Sequence, residues 1–154
     1  FLTYGQFANA DVSDIIGDKD QKVTHRKVQE LETVILINDG NGKFNAIDLP
    51  NEVQFAPVNT IITYTRKDGA GPLILLFGNS DSEFYDQGPI TANHGCVLRP
   101  DGQGGYEVIP ADISGIDVKG VVNSSLLTTD KNGSSIILGR NNRHCIKLRP
   151  TIGQ

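Results

Sequence analysis

An all-β fold built from repeated small antiparallel sheets follows from three features of this sequence. The first is an internal repeat. Val34-Ile35-Leu36-Ile37 passes through Asn38-Asp39-Gly40-Asn41-Gly42 into Lys43-Phe44 and on to Leu49-Pro50. Cys96-Val97-Leu98-Arg99 passes through Pro100-Asp101-Gly102-Gln103-Gly104 into Gly105-Tyr106 and on to Ile109-Pro110. Gly102 lies 62 positions after Gly40, and Asp101 lies 62 after Asp39. The second is a succession of short segments rich in Val, Ile and Leu and bounded by Gly, Pro, Asn and Asp, the pattern of strands separated by turns. The third is composition: 17 Gly and 7 Pro supply the turns that many short strands need. A unit this small cannot bury its apolar face alone and requires a stacked neighbour. Four strands per unit, at roughly 40–60 residues, is the spacing of a propeller blade. The expected fold is all-β: a partial β-propeller of about two and a half four-stranded antiparallel blades behind a short N-terminal helical segment.

Residues 1–32 are the helical segment. Asp11, Ser13 and Asp14 ahead of Ile15-Ile16, with Gly17 behind, predict a short helix with an acidic start and a glycine stop. Residues 19–31 alternate charges and helix formers, including Lys22, Arg26, Lys27 and Glu30, and predict a further turn or two. The β region is 33–154, with strands expected at 33–37, 43–48, 59–65, 73–78, 95–99, 106–109, 117–123, 125–129, 135–139 and 144–149. Asp39-Gly40, Asp68-Gly69, Asp101-Gly102 and Asn132-Gly133 mark hairpins, because the positive φ of such turns is cheap for Gly and tolerable for Asp and Asn. The blades fall at 33–50 (the end of one), 57–110 (a complete one) and 116–150 (a final, partial one). The last return is shorter, Cys145 lying 49 positions after Cys96, and the loop over 80–92 accounts for the difference.

Composition excludes several functions. The net charge of −4 and the scattering of the 14 Lys and Arg leave no basic footprint for nucleic acid. No apolar run approaches the roughly 18 residues of a membrane span. The chain starts without Met, as expected of a piece of a larger precursor. Cys96 and Cys145 occupy similar places in neighbouring repeats, too far apart for the Cα separation of about 4.4–6.8 Å that a disulfide requires. Both are expected to be free and buried. Ser lies in no Gly-x-Ser-x-Gly elbow, and neither Cys sits in a nucleophile motif. Gly40-Asn41-Gly42 and Gly102-Gln103-Gly104 lie between strands, without the helix N-terminus that a phosphate loop needs. His94 and Cys96 share one strand face, but two ligands do not make a zinc site. Asn123-Ser124-Ser125 and Asn132-Gly133-Ser134 match the glycosylation sequon.

Asn38-Asp39-Gly40-Asn41-Gly42-Lys43-Phe44, followed by Leu49-Pro50 and Gln54-Phe55-Ala56-Pro57-Val58, resembles the FG-GAP/VCBS-repeat β-propeller proteins. More narrowly it resembles large secreted bacterial members that often carry an ASPIC/UnbV segment. Leu73–Asn79, Val118-Lys119-Gly120 and Leu138-Gly139-Arg140-Asn141-Asn142 fit the same pattern, and Phe1–Ala10 with Asp11–Ile16 resembles a helical insertion before a blade. The resemblance implies a propeller at the bacterial outer-membrane surface or outside the cell, with this chain as its C-terminal part. Its partners would be the remaining blades of a larger polypeptide or further copies of the chain, and a glycan or protein ligand. Calcium belongs to the family, but the ligand loop is not retained. Thr65-Arg66-Lys67-Asp68-Gly69 and Thr128-Thr129-Asp130-Lys131-Asn132-Gly133 lack the alternating carboxylates that supply the six to eight oxygens Ca²⁺ takes.

Two clusters carry the candidate ligand-binding residues. Asn79, Asp81, Glu83, Phe84, Tyr85 and Asp86 form the densest group of oxygen donors, with an aromatic pair suited to stacking on a sugar or anchoring in a partner. As structure, the same stretch is a polar loop whose Asn and Asp cap turns. Arg140 and Asn141, within Arg140-Asn141-Asn142-Arg143, suit an acidic glycan or a phosphate, and as structure are a turn with solvated cations. The expected function is a non-catalytic binding or interaction module. The alternatives are a share of a multi-blade hydrolase or lyase, and a segment that only closes a ring.

Overall fold

The computed structural model describes residues 2–17, 24, 26–66, 69–81, 88–131 and 133–150, and the chain divides into two compact units, Phe1–Leu31 and Glu32–Gln154. The first holds α1 (Tyr4–Ala8) and α2 (Val12–Ile16). Thr3 and Gln6 cap α1 reciprocally: the Gln6 N–H donates to Thr3 Oγ1 at 3.3 Å and the Thr3 N–H to Gln6 Oε1 at 3.2 Å. The helix expected around Ile15-Ile16 forms as α2, with the Asp11 N–H donating to Asp14 Oδ2 at 2.9 Å and Gly17 (φ 58°) closing it. The turn or two expected over 19–31 falls partly outside the described residues, and 26–31 are not helical.

The second unit is all-β, with three antiparallel sheets. β1 (Val34–Asn38) and β2 (Phe44–Asp48) make a hairpin, followed by the single turn α3 (Asn51–Gln54). β3 (Val58–Thr65), β4 (Pro72–Gly78), β5 (Cys96–Pro100) and β6 (Tyr106–Ile109) make a central meander in consecutive order. After α4 (Ala111–Ser114), β7 (Val122–Asp130), β8 (Gly133–Arg140) and β9 (Ile146–Leu148) make the last sheet.

The repeat seen in the sequence is a repeat of geometry. In the first hairpin Asp39 Oδ1 accepts from the N–H of Asn41 and Lys43 at 2.7 and 3.1 Å; in the central sheet Asp101 Oδ1 accepts from Gln103 and Gly105 at 2.7 and 2.9 Å. Gly40, Gly42, Gly102 and Gly104 take φ of 80°, 83°, 78° and 95°, where a side chain would be strained. Behind each hairpin a proline, Pro50 or Pro110, opens one helical turn.

Packing explains the pattern of β4. Leu73, Leu75 and Phe77 join Ile62, Tyr64, Val97 and Ile109 against Val122, Ile136 and Leu138 of the last sheet. Leu76 and the half-buried Ile74 point the other way, with Cys96 and Leu98, toward Ile35, Leu49 and Val53 from the hairpin side. A strand covered on both faces has no polar alternation to show, and Leu73–Phe77 is apolar throughout.

Two expectations are corrected. Segments 117–123 and 125–129 are not two strands: 117–121 is irregular, and β7 runs unbroken over Val122–Asp130. Gly120 (φ 96°) breaks the extended backbone, while the Val118 N–H is drawn to His94 O at 2.7 Å. The sequence alternation there came from the burial of Val118 and Val121 without a ladder. Cys145 is exposed rather than buried, because it precedes the three-residue β9; Cys96, inside the ladder opposite Leu76, is buried, and both thiols are free.

Burial, and secondarily the Glu52 carboxylate, push the Cys96 thiol up from 9.0 to about 11. Because the folded state holds this proton more tightly, the contribution is complete below pH 9 and is lost as pH rises toward about 11. Two outcomes are expected. In native protein at pH 8 a thiol reagent should modify Cys145 rapidly and Cys96 only on unfolding, measured by intact mass. The alkaline loss of stability should be shallower in Cys96→Val, measured by urea titration between pH 8 and pH 11.

Candidate functional site

The loops after β4 and β8 are built alike. The Asn79 N–H donates to Pro57 O at 3.0 Å, and the Asn141 N–H donates to Val121 O at 2.9 Å. Each neighbouring first strand carries one extra residue, Asn59 in β3 and Asn123 in β7, at a shift of register. Asn123 lies 64 positions after Asn59, and Asn141 lies 62 after Asn79. The Asn59 amide donates to Asn79 O at 2.8 Å and across to Val122 O at 3.2 Å, and Thr60 Oγ1 meets Ser125 Oγ at 2.6 Å. These bonds tie the central sheet to the last one along their first strands.

Asn79 is only 1% exposed. Its Nδ2 donates to Asn93 O at 2.6 Å and Gly120 O at 2.9 Å, and its Oδ1 accepts from the Asn93 N–H at 2.8 Å. With φ 81° it turns the chain out of β4 and fastens three segments together. This corrects its place among the solvent-facing ligand groups: every polar atom of its amide is engaged inside the protein.

Asp81 and Asn141 are brought together as neighbours from equivalent loops, the Asn141 Nδ2 donating to Asp81 Oδ2 at 2.8 Å. They border an open cleft of about 800 Å³ whose other polar walls include Thr91, His94, Lys119 and Arg143. His94 Nδ1 pairs with Asp117 Oδ1 at 2.7 Å. Arg140 braces the rim, its Nε donating to His144 O at 3.1 Å and its Nη1 to Lys119 O at 3.0 Å. Arg143 lies over Gly120, where an added Cβ would come within 3.3 Å of its Cδ. The cleft therefore sets three cationic side chains, Lys119, Arg140 and Arg143, around one carboxylate–amide pair.

Glu83, Phe84, Tyr85 and Asp86 lie outside the described residues. Lys119, His94 and Asp117 were not among the candidates. The sequence signal that would have found the cleft is the pair of recurring asparagines, 59 with 123 and 79 with 141. Among the described residues no three His, Cys, Asp or Glu side chains converge as metal ligands, and no helix is long and apolar enough to cross a membrane. The fold and cleft define a loop-bordered site on stacked antiparallel sheets. Comparisons with family models, curated proteins and solved structures returned no match.

Proposed function

We propose that the chain is part of an FG-GAP/VCBS-type β-propeller, acting at the bacterial cell surface or outside the cell as a non-catalytic module that binds an acidic glycan. The observation that carries this reading is the meeting of Asp81 and Asn141 at 2.8 Å from equivalent loops of successive sheets. Loops held by a rigid scaffold are where recognition groups gather. A carboxylate beside an amide offers acceptors and a donor at the spacing of vicinal hydroxyls. Lys119, Arg140 and Arg143 supply positive charge for a carboxylated sugar, in a chain whose net charge is −4. Consecutive strand order in the central sheet, and face-to-face stacking on its neighbours, support the propeller reading.

The test is titration calorimetry against neutral and uronic-acid oligosaccharides. Binding of the acidic series is expected, with affinity at least tenfold weaker in Asp81→Ala or Asn141→Ala, each loss corresponding to about 1.4 kcal/mol. Both side chains are exposed, so the fold should persist. Affinity unchanged in both variants would remove the cleft from the binding site.

A further inference from the structure

The open edge of β9 and the apolar cavity beside it hold a strand's place that the central sheet fills. β5 reads Cys96-Val97-Leu98-Arg99-Pro100, and β9 with its flanks reads Cys145-Ile146-Lys147-Leu148-Arg149-Pro150. Leu148, Arg149 and Pro150 each lie 50 positions after Leu98, Arg99 and Pro100. In the central sheet β5 is flanked on both sides, by β4 and β6; β9 pairs only with β8 among the described residues.

The register of β6 states what belongs at that edge. Val108 lies opposite Leu98, Glu107 opposite Arg99 and Tyr106 opposite Pro100. Tyr106 and Val108 pack inward beside Ile74 and Leu98, on the face toward the first hairpin. Glu107 Oε1 receives the Arg99 Nε–H at 2.6 Å. In the last sheet Leu148 faces the central sheet, as shown by its packing with Ile136 and Leu138. Beside it lies an apolar cavity of about 160 Å³, walled by Tyr64, Leu73, Val97, Ile136, Leu148 and Pro150. Thus the equivalents of Leu98 and Pro100 line an empty space where their strand partners, an aliphatic and an aromatic residue, would sit. Arg149 is exposed and has no acidic partner among the described residues.

We propose that the β9 edge is an acceptor for an extended peptide segment with an aromatic–Glu–aliphatic pattern, which adds to the last sheet as an antiparallel fourth strand. Its aromatic and aliphatic side chains enter the cavity, and its glutamate pairs with Arg149. Main-chain hydrogen bonds to a free sheet edge give affinity, and side-chain pockets at alternate positions give specificity. This proposal rests on the register of the repeat and stands apart from the glycan reading.

The probe is a synthetic peptide with the sequence of residues 104–110, Gly-Gly-Tyr-Glu-Val-Ile-Pro, added to the full chain. Saturable binding is expected, with slowed amide exchange at β9. Arg149→Glu should weaken binding about five- to tenfold, since a cross-strand ion pair is replaced by like charges. A peptide carrying Lys in place of Glu should restore binding to that variant. Arg149 is a surface residue, and thermal melts of the variant alone establish that it folds. Absence of saturable binding at millimolar peptide would overturn the proposal. So would equal binding by the parent chain and Arg149→Glu, or β9 amides already protected in the free chain through dimerisation that the peptide does not reverse.

Discussion

Asn79→Ala is expected to destabilise the β unit by about 3–6 kcal/mol, because it strips partners from three backbone groups at about 1–3 kcal/mol each. Those groups are the Asn93 N–H, Asn93 O and Gly120 O. Against a total of about 5–15 kcal/mol for a protein of this class, that loss would unfold a substantial fraction of the molecules. Asn79→Gly separates conformation from bonding. It loses the same three bonds but relieves the left-handed backbone at φ 81°, so it should be about 1 kcal/mol more stable than the alanine variant. Urea denaturation of the three proteins measures both differences. An alanine variant within about 0.5 kcal/mol of the parent would show that water replaces the amide, and that the clamp is not what holds the loop.

Leu98→Ala and Leu138→Ala should each cost about 2–5 kcal/mol, since both side chains are 0% exposed. The more telling quantity is their sum. Leu98 belongs to the cluster between the central sheet and the first hairpin, and Leu138 to the cluster between the central and last sheets. Residues without shared partners add within about 0.3–0.5 kcal/mol, and stacked repeats behave as sums of local terms. The double variant can be built on any background that raises the midpoint enough to remain measurable. A coupling above about 1 kcal/mol would mean that the faces of the central sheet act as one core.

The strands were legible wherever the turns were. Asp39-Gly40 and Asp101-Gly102 carry their own geometry, since the aspartate side chain caps the loop and the glycine takes the positive φ. Both are local matters that sequence states directly. Residues 117–121 misled because burial alone made Val118 and Val121 resemble a strand, while the competing bond from Val118 to His94 O spans 24 positions. Cys145 misled for a related reason: the likeness to Cys96 held in sequence, but the ladder that buries Cys96 begins one residue later in β9. In the candidate site, Asp81 and Asn141 were singled out separately, on grounds of polarity, and their meeting across 60 positions was not foreseen. Lys119 and His94 were out of reach of local reading. The fastening of the 93 and 120 backbones by Asn79 brings them to one cleft, and a buried asparagine looks the same in sequence as a solvated one.

The asparagine inserted into β3 has a consequence for how such an array can grow. Asn59 reaches out of its own sheet to Val122 O and Asn123, and Asn123 occupies the corresponding place in the sheet that follows. Each module thus brings its own forward-facing coupling, one side chain aimed at the next module's main chain. What it grips is a carbonyl, which any residue supplies, so the joint asks little of the successor's sequence. Modules joined this way can be duplicated or exchanged whole while their loops diverge freely. That is a mechanical route by which one scaffold can come to carry unlike binding surfaces side by side.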